Sequence, residues 1–207
     1  MLKKSFLEYA RRAYEEKLCP LNSTRDVAMI SPTPDDIISQ VVCDLSSHFK
    51  CSPTKTGVKT SSDFVTVCDL GCGDGRWLFG FLDSKLFDHN CVCYGVEISD
   101  ERIEKTVSHF RRKRERVGSG NAIGGSKVKL FEVVKADFLR QVRFSGMDLL
   151  IAYLSIEGNR LLKDEIVRVC RRGTVLISVG FKVQGLPIRR QWESVERPHF
   201  FAYLYVL

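Results

Sequence analysis

Residues 65–76 read VTVCDLGCGDGR, so that Asp69, Gly71, Gly73 and Gly75 stand directly behind an apolar run. Glycine has no Cβ, and alternating glycines allow unusual backbone angles and the close approach of a ligand to the main chain. The ligand expected at such a loop carries a nucleoside. A dinucleotide fingerprint, G-x-G-x-x-G, would need another small residue at position 76, where this chain has Arg76. A carboxylate immediately before the glycines would also crowd a pyrophosphate. Asp69 suits a ligand with a positively charged amine instead.

Two further acids follow in order. Glu97, in YGVEIS with Ile98 next to it, lies about twenty residues beyond the last glycine, where a carboxylate can accept hydrogen bonds from both ribose hydroxyls. Asp137, in KADF, is placed to accept from an adenine amino group, with Phe138 beside the ring. S-adenosylmethionine has an ammonium, a carboxylate, a sulfonium and an adenosine, and no phosphate. It is the expected cofactor, with Asp69, Gly71, Gly73, Gly75, Glu97, Ile98, Asp137 and Phe138 as its expected contacts.

Those residues need a scaffold that brings several strand ends together. From residue 64 onward strand-like and helix-like segments alternate, the signature of crossover units around a parallel sheet. Strands are predicted at 64–70, 91–98, 127–134, 147–154 and 174–179, near 186–192 and at 199–206. Helices are predicted at 77–87, at 100–117 with Ser99 as its cap, and from about 159 to 170. Each acid then follows a different strand of one sheet, where the ligand crevice of such sheets lies.

Upstream, SPTPDD at 31–36 reads as a helix start, with Thr33 as the cap, Pro34 at the first helical position and Asp35 and Asp36 in the first turn, the helix running to about residue 49. Leu2, Phe6, Ala10, Ala13 and Tyr14 fall at helical spacing, so residues 1–50 are read as helices packed on the core. Residues 51–62 are polar and read as a surface loop, 118–126 as a flexible one. Residues 63–207 form the ligand-binding part of one domain.

A chain of 207 residues suffices for one buried core. No apolar run approaches the roughly 20 residues of a membrane-spanning helix, and residues 1–18 lack a signal-peptide core, so an intracellular setting, cytoplasmic or mitochondrial, is expected. The eight cysteines form no C-x-x-C pair and several lie in strand-like runs, which fits reduced, buried thiols better than disulfides. Cys91 and Cys93 are read as neighbours on one buried face, with no metal site expected. The net charge of +7 has basic clusters at 111–114, 171–172 and 189–190. They suit an acidic partner such as RNA, although the first also serves to oppose a helix dipole.

DLGCGDG, then GVEIS, then ADF resemble the motif series of the class I S-adenosylmethionine-dependent methyltransferases over about residues 64–180. That resemblance implies a Rossmann-like α/β three-layer sandwich, with a mostly parallel seven-stranded sheet whose last strand is antiparallel, a role that HFFAYLYVL fits. SPTPDDIISQVV ahead of VCDLGCGDGR is similar, more narrowly, to small protein-lysine methyltransferases of the ATP synthase c subunit and adenine nucleotide carrier type. The resemblance implies an acceptor pocket at Tyr153, Leu154 and Ser155, with Trp192 or Phe181 closing it. A protein substrate accepting on lysine is the expectation. RNA methylation, on the basic clusters, and a non-catalytic assembly subunit are the alternatives, and no residue stands out as a general base.

Overall fold

The computed structural model describes residues 32–50, 64–82, 90–116, 128–142 and 144–207. The helix expected near the N-terminus and the loops at 51–62 and 118–126 lie outside them. In chain order the elements are α1 (Asp35–Lys50), β1 (Phe64–Leu70), α2 (Arg76–Leu82), β2 (Asn90–Glu97), α3 (Asp100–Arg116) and β3 (Val128–Lys135). They continue as α4 (Phe138–Gln141), β4 (Leu149–Ala152), α5 (Ile156–Val169), β5 (Val175–Val179), β6 (Arg190–Glu193) and β7 (Phe201–Val206).

The seven strands lie in the order β3-β2-β1-β4-β5-β7-β6. β1 to β5 pair in parallel, and β7 runs antiparallel to both β5 and β6. The chain steps outward from β1 through β2 to β3, then returns to β4 on the other flank of β1. Such a reversal opens a crevice at the carboxyl ends of the strands. The glycines follow β1, so they stand at its edge.

Layering follows from the period of two along each strand. Val65, Val67, Cys91, Cys93, Leu149, Ile151, Val175 and Ile177 face one buried cluster with α1 and α2, which supply Ile37, Ile38, Val41, Leu45, Trp77 and Phe81. α3 joins that layer through Phe110, stacked on Phe131, which stacks in turn on Phe79. Cys68, Leu70, Val92, Tyr94, Leu150 and Leu176 face the opposite cluster, with Phe138, Leu162 and Ile166 from α4 and α5. The Cys91 and Cys93 sulfurs are 3.7 Å apart inside the first cluster, as two residues on one strand face should be. Burial covers both faces of the central strands, as a parallel sheet requires.

Several boundaries differ from the sequence reading, each for a local reason. β4 is shorter than 147–154 at its start, where the Met147 amide turns back onto the Phe144 carbonyl, and at its end, where Ser155 caps α5. α5 starts three residues before 159 because Ser155 caps it, its Oγ accepting from Gly158 N at 3.0 Å. β6 begins only at Arg190, since Pro187 brings no amide to a ladder. β7 begins at Phe201, after His199 turns through φ 64°. Ser99 does cap α3, accepting from Arg102 N at 3.4 Å. Among the described residues no helix is long and apolar enough to cross a membrane.

α1 and α2 touch at Gly80, where an added Cβ would stand 2.7 Å from Ile38 Cγ2. Ile38 is itself buried and branched at Cβ, so it has no free arm to withdraw. Gly80→Ala should therefore destabilise the fold by about 1–3 kcal/mol despite the better helix propensity of alanine. Chemical denaturation measures this, and combination with Ile38→Ala should cost less than the two changes added.

Candidate active site

Gly71, Gly73 and Gly75 all have positive φ, 76°, 55° and 78°. The turn is seated on β2: Gly71 N and Cys72 N both donate to Val96 O, at 2.8 and 3.0 Å. Packing dictates glycine at position 75, where an added Cβ would lie 2.5 Å from Thr106 Cγ2 of α3. Gly73 is the open position, since its added Cβ would meet only Gly71 O, at 3.9 Å. A ligand reaches the backbone there, while Thr106 Oγ1 donates to the Gly73 carbonyl at 2.8 Å from behind.

Two acids are buried beneath this turn, each 3 % exposed, and their situations are opposite. Glu97 is saturated. Its Oε2 accepts from Gly73 N at 2.9 Å, its Oε1 from Ile98 N at 2.9 Å and Ser99 N at 3.0 Å, and Arg102 Nη1 stands 3.9 Å away. A carboxylate expected to meet ribose hydroxyls is thus also the strut of the glycine turn. Asp69 is orphaned, for its Oδ2 is buried with no hydrogen-bond partner. Burial pushes its carboxyl well above the usual range, and the charges of Glu97 and Asp74 push in the same direction. A buried carboxyl oxygen with no partner in the fold is one that an ammonium can complete.

The third acid stands one strand further out. Ala136 N donates to Glu97 O at 3.0 Å, which brings the end of β3 beside the end of β2. Asp137 is half-buried and caps α4, its Oδ1 accepting from Leu139 N at 3.0 Å. Phe138 turns into the second core cluster and is 7 % exposed, so its ring belongs mainly to packing. Ile98 is 40 % exposed beside Glu97, an apolar surface at the rim of the crevice.

On the β4 and β5 side the residues of the expected pocket stand in different surroundings. Tyr153 is half-buried, edge-on to Phe200 with ring centres 5.7 Å apart, and closed from below by Gly180, where an added Cβ would lie 2.8 Å from its ring. Leu154 lines no pocket: it is fully buried in the second cluster, because its side chain takes the face opposite to that of Tyr153. The Ser155 hydroxyl is taken up as the α5 cap. Trp192 sits on β6 at the far edge of the sheet and closes no pocket with Tyr153, its indole donating to Asp44 Oδ2 of α1 at 2.6 Å. Phe181 contributes its carbonyl, which accepts from Ser178 Oγ at 2.7 Å and Asn159 Nδ2 at 3.3 Å and so fixes the turn after β5.

Sequence reading missed Phe200, one more aromatic in an aromatic strand, and the partners of Arg76, noted only as the residue that breaks the dinucleotide pattern. Arg76 forks onto Asp74 and donates from Nη1 to Thr33 O at 2.7 Å.

No family model matches the chain. Over 128 residues, 61% of this chain and 68% of the relative, it is 30% identical to a protein-lysine N-methyltransferase of Saccharolobus islandicus. An RNA methyltransferase from Salinibacter ruber, solved with S-adenosyl-L-homocysteine, superimposes with a TM-score of 0.58 at 19% identity, over 85% of this chain and 93% of that one. A Listeria monocytogenes protein assigned to the class I S-adenosylmethionine-dependent methyltransferases superimposes at 0.52 with 15% identity, over 100% of this chain and 69% of that one. The chain belongs to the class I S-adenosylmethionine-dependent methyltransferases.

The cofactor of this methyltransferase is S-adenosylmethionine. The residues present fit it: the orphaned, buried Asp69 carboxylate beside an open glycine backbone is the kind of group that an ammonium completes. A carboxyl whose folded pKa is raised holds its proton more tightly in the folded state, so stability falls as the pH rises from the unfolded value through the folded one. Asp69→Asn should therefore stabilise the ligand-free protein near neutral pH by about 1–3 kcal/mol, raising the melting temperature by about 2–4 °C per kcal/mol. S-adenosylhomocysteine should no longer raise that temperature in the variant. With wild type, calorimetry should show the ligand binding more weakly as the pH is lowered, because Asp69 must give up its proton.

Proposed function

We propose that this methyltransferase acts on the ε-amine of a protein lysine. The relative named as a protein-lysine N-methyltransferase, 30% identical over 128 residues, carries this reading. The aromatic wall of Tyr153 and Phe200 supports it. S-adenosylmethionine, when bound, supplies a methyl group on a positively charged sulfur. In this reading the Asp69 carboxylate accepts from the ammonium, the turn of Gly71, Gly73 and Gly75 is open to the ligand at Gly73, Glu97 and Asp137 receive the ribose and adenine ends, and Ile98 and Phe138 stand beside the adenine end.

What remains for the chain is to aim and dry the acceptor amine. Lysine attacks only when neutral, and apolar and aromatic walls disfavour its charged form. Aromatic faces also attract the cation before it loses its proton. Positioning of this kind carries most of the acceleration in a direct displacement.

The alternative of RNA draws little from the site. Arg171 is paired with Asp148 and Arg190 with Asp44, so half of the two arginine pairs at 171–172 and 189–190 is already neutralised. AYLS after β4 also lacks the Asn/Asp-Pro-Pro-aromatic run that would orient an exocyclic base nitrogen.

Transfer of labelled methyl to a cell lysate, split between ribonuclease and protease treatment and followed by amino-acid analysis, tests the acceptor. The label should survive ribonuclease, vanish with protease and co-migrate with methylated lysines. Tyr153→Ala should lower transfer by about ten- to a hundredfold while S-adenosylhomocysteine affinity stays within a fewfold. Ribonuclease-sensitive label would replace lysine with RNA, and a protein that binds the cofactor yet labels nothing would point to an assembly role.

A further inference from the structure

The contacts of the first turn of α1 join two regions that the chain keeps far apart. On one side lies the glycine turn. Arg76 forks onto Asp74, with Nη2 at 2.7 Å, donates to Thr33 O at 2.7 Å and stands 3.6 Å from Asp35. Next to it the Trp77 indole donates to the buried Thr33 hydroxyl at 3.1 Å. On the other side lies the β6–β7 connection, residues 194–200. Asp36 accepts there from Ser194 Oγ at 2.8 Å and from Val195 N at 2.6 Å, with Glu196 N at 3.5 Å.

The connection is itself folded tightly and leads to the aromatic wall. Ser194 N donates to Phe200 O at 2.9 Å, Ser194 Oγ accepts from Arg197 N at 2.9 Å, and the Arg197 guanidinium lies 5.2 Å over the Phe200 ring. Phe200 meets Tyr153 edge-on, and Gly180, donating to Phe201 O at 2.8 Å, closes Tyr153 from below. Tyr153 follows β4, the strand paired with β1, which brings the path back to the glycine turn. The contacts thus close a ring around the mouth of the crevice, through residues on five separate stretches of chain.

Two of its links are disproportionate to any need of the core. The fold is already held on this face by Ile37, Ile38, Val41, Val42 and Leu45 of α1 and, lower down, by the Trp192 bond to Asp44. Asp36 and Arg76 add no apolar burial; what they fix is the distance between the glycine turn and the connection that carries Phe200. In-line transfer is sensitive to that distance, since a misplacement of about 1 Å can cost a hundredfold in rate.

We infer that Asp36 and Arg76 are positioning residues: through the first turn of α1 they tie the acceptor-side wall of Phe200 and Tyr153 to the cofactor turn, so that loading the cofactor stiffens the connection at 194–200. The acceptor side of this inference rests on the proposed reading of Tyr153, whereas the coupling itself does not. Ordering one end of a connected network lowers the cost of ordering the other, which is how two ligands cooperate without a large change of shape.

Amide hydrogen exchange of the full chain, with and without S-adenosylhomocysteine, tests the coupling without any acceptor. In wild type the ligand should slow exchange across 194–197 by about threefold or more. Arg76→Met should lose that slowing while still binding the ligand, and Asp36→Asn should speed exchange there by about tenfold with ligand affinity within about twofold. Arg76→Lys, which keeps the charge but not the fork, guards against a folding failure and should show an intermediate response. With a pool of lysine peptides as acceptor, Asp36→Asn should raise the half-saturating peptide concentration by about tenfold and leave that of S-adenosylmethionine unchanged. The inference is overturned if the ligand leaves exchange at 194–197 unaltered in wild type, or if both Arg76 variants transmit the slowing in full. Failure of the peptides to accept methyl groups, with the exchange response intact, would count against lysine as acceptor and leave the coupling standing.

Discussion

The Glu97 carboxylate, gathering the amides of Gly73, Ile98 and Ser99 at 2.9–3.0 Å, holds the site in shape. Three successive positive-φ glycines have little preference for one conformation, and without an external strut they would sample many. A charged acceptor bonded to backbone donors is among the stronger struts available. It also joins the glycine turn to the start of α3, so the turn, the end of β2 and the next helix move as one piece. Asp69 can be left orphaned beside it only because Glu97 has already fixed the turn. Two buried acids side by side repel, and their surroundings differ: Glu97 is bonded by the backbone of the turn, whereas the Asp69 Oδ2 has no partner in the fold.

That division has a thermodynamic consequence. The ligand-free protein carries an unpaired carboxyl at the centre of its sheet, displaced upward in pKa by burial. The surroundings offer no relief: Cys68 and Cys72 flank Asp69 on either side of the turn, and burial pushes both thiols up, so neither becomes a charged partner or a reactive group. Stability is forgone at this point and recovered through the apolar clusters on both faces of the sheet. Sites that must desolvate a charged ligand are commonly built in this way, and the same desolvation strengthens the contact once it forms.

The cofactor half of the site was legible in the sequence because strand ends are legible. A period of two fixes which residues leave a strand on which face, and the order of Asp69, Glu97 and Asp137 along the chain becomes an order across the sheet once β1, β2 and β3 are parallel neighbours. The acceptor half was not legible to the same degree. Leu154 and Tyr153 are adjacent in sequence and point to opposite faces, and composition favours neither as the wall. Ser155 reads equally as a site hydroxyl and as a helix cap, and only the start of α5 decides. Trp192 has the size and chemistry for a pocket, yet strand order carries it to the far edge, with β7 and β5 between it and β4. Arg76 follows the glycines closely enough to read as part of the loop, but its partner Thr33 lies on the far side of the β1 strand in sequence.

The unequal legibility has a physical source. The cofactor side hangs on backbone bonds between neighbouring strands, which any sequence compatible with the sheet must form. The side that carries Tyr153 and Phe200 is assembled from four connections, at 33–36, 153–155, 180–181 and 194–200, held by side-chain bonds such as those of Asp36, Asn159 and Arg76. Such bonds contribute about 0.5–3 kcal/mol apiece, a small share of what holds the sheet and its glycine turn. Val195, 84 % exposed on the connection that carries Phe200, shows that this rim is not built to be covered by the fold itself. The glycine turn is therefore fixed by the core of the protein, and the aromatic rim of Tyr153 and Phe200 by polar ties in the connections around it.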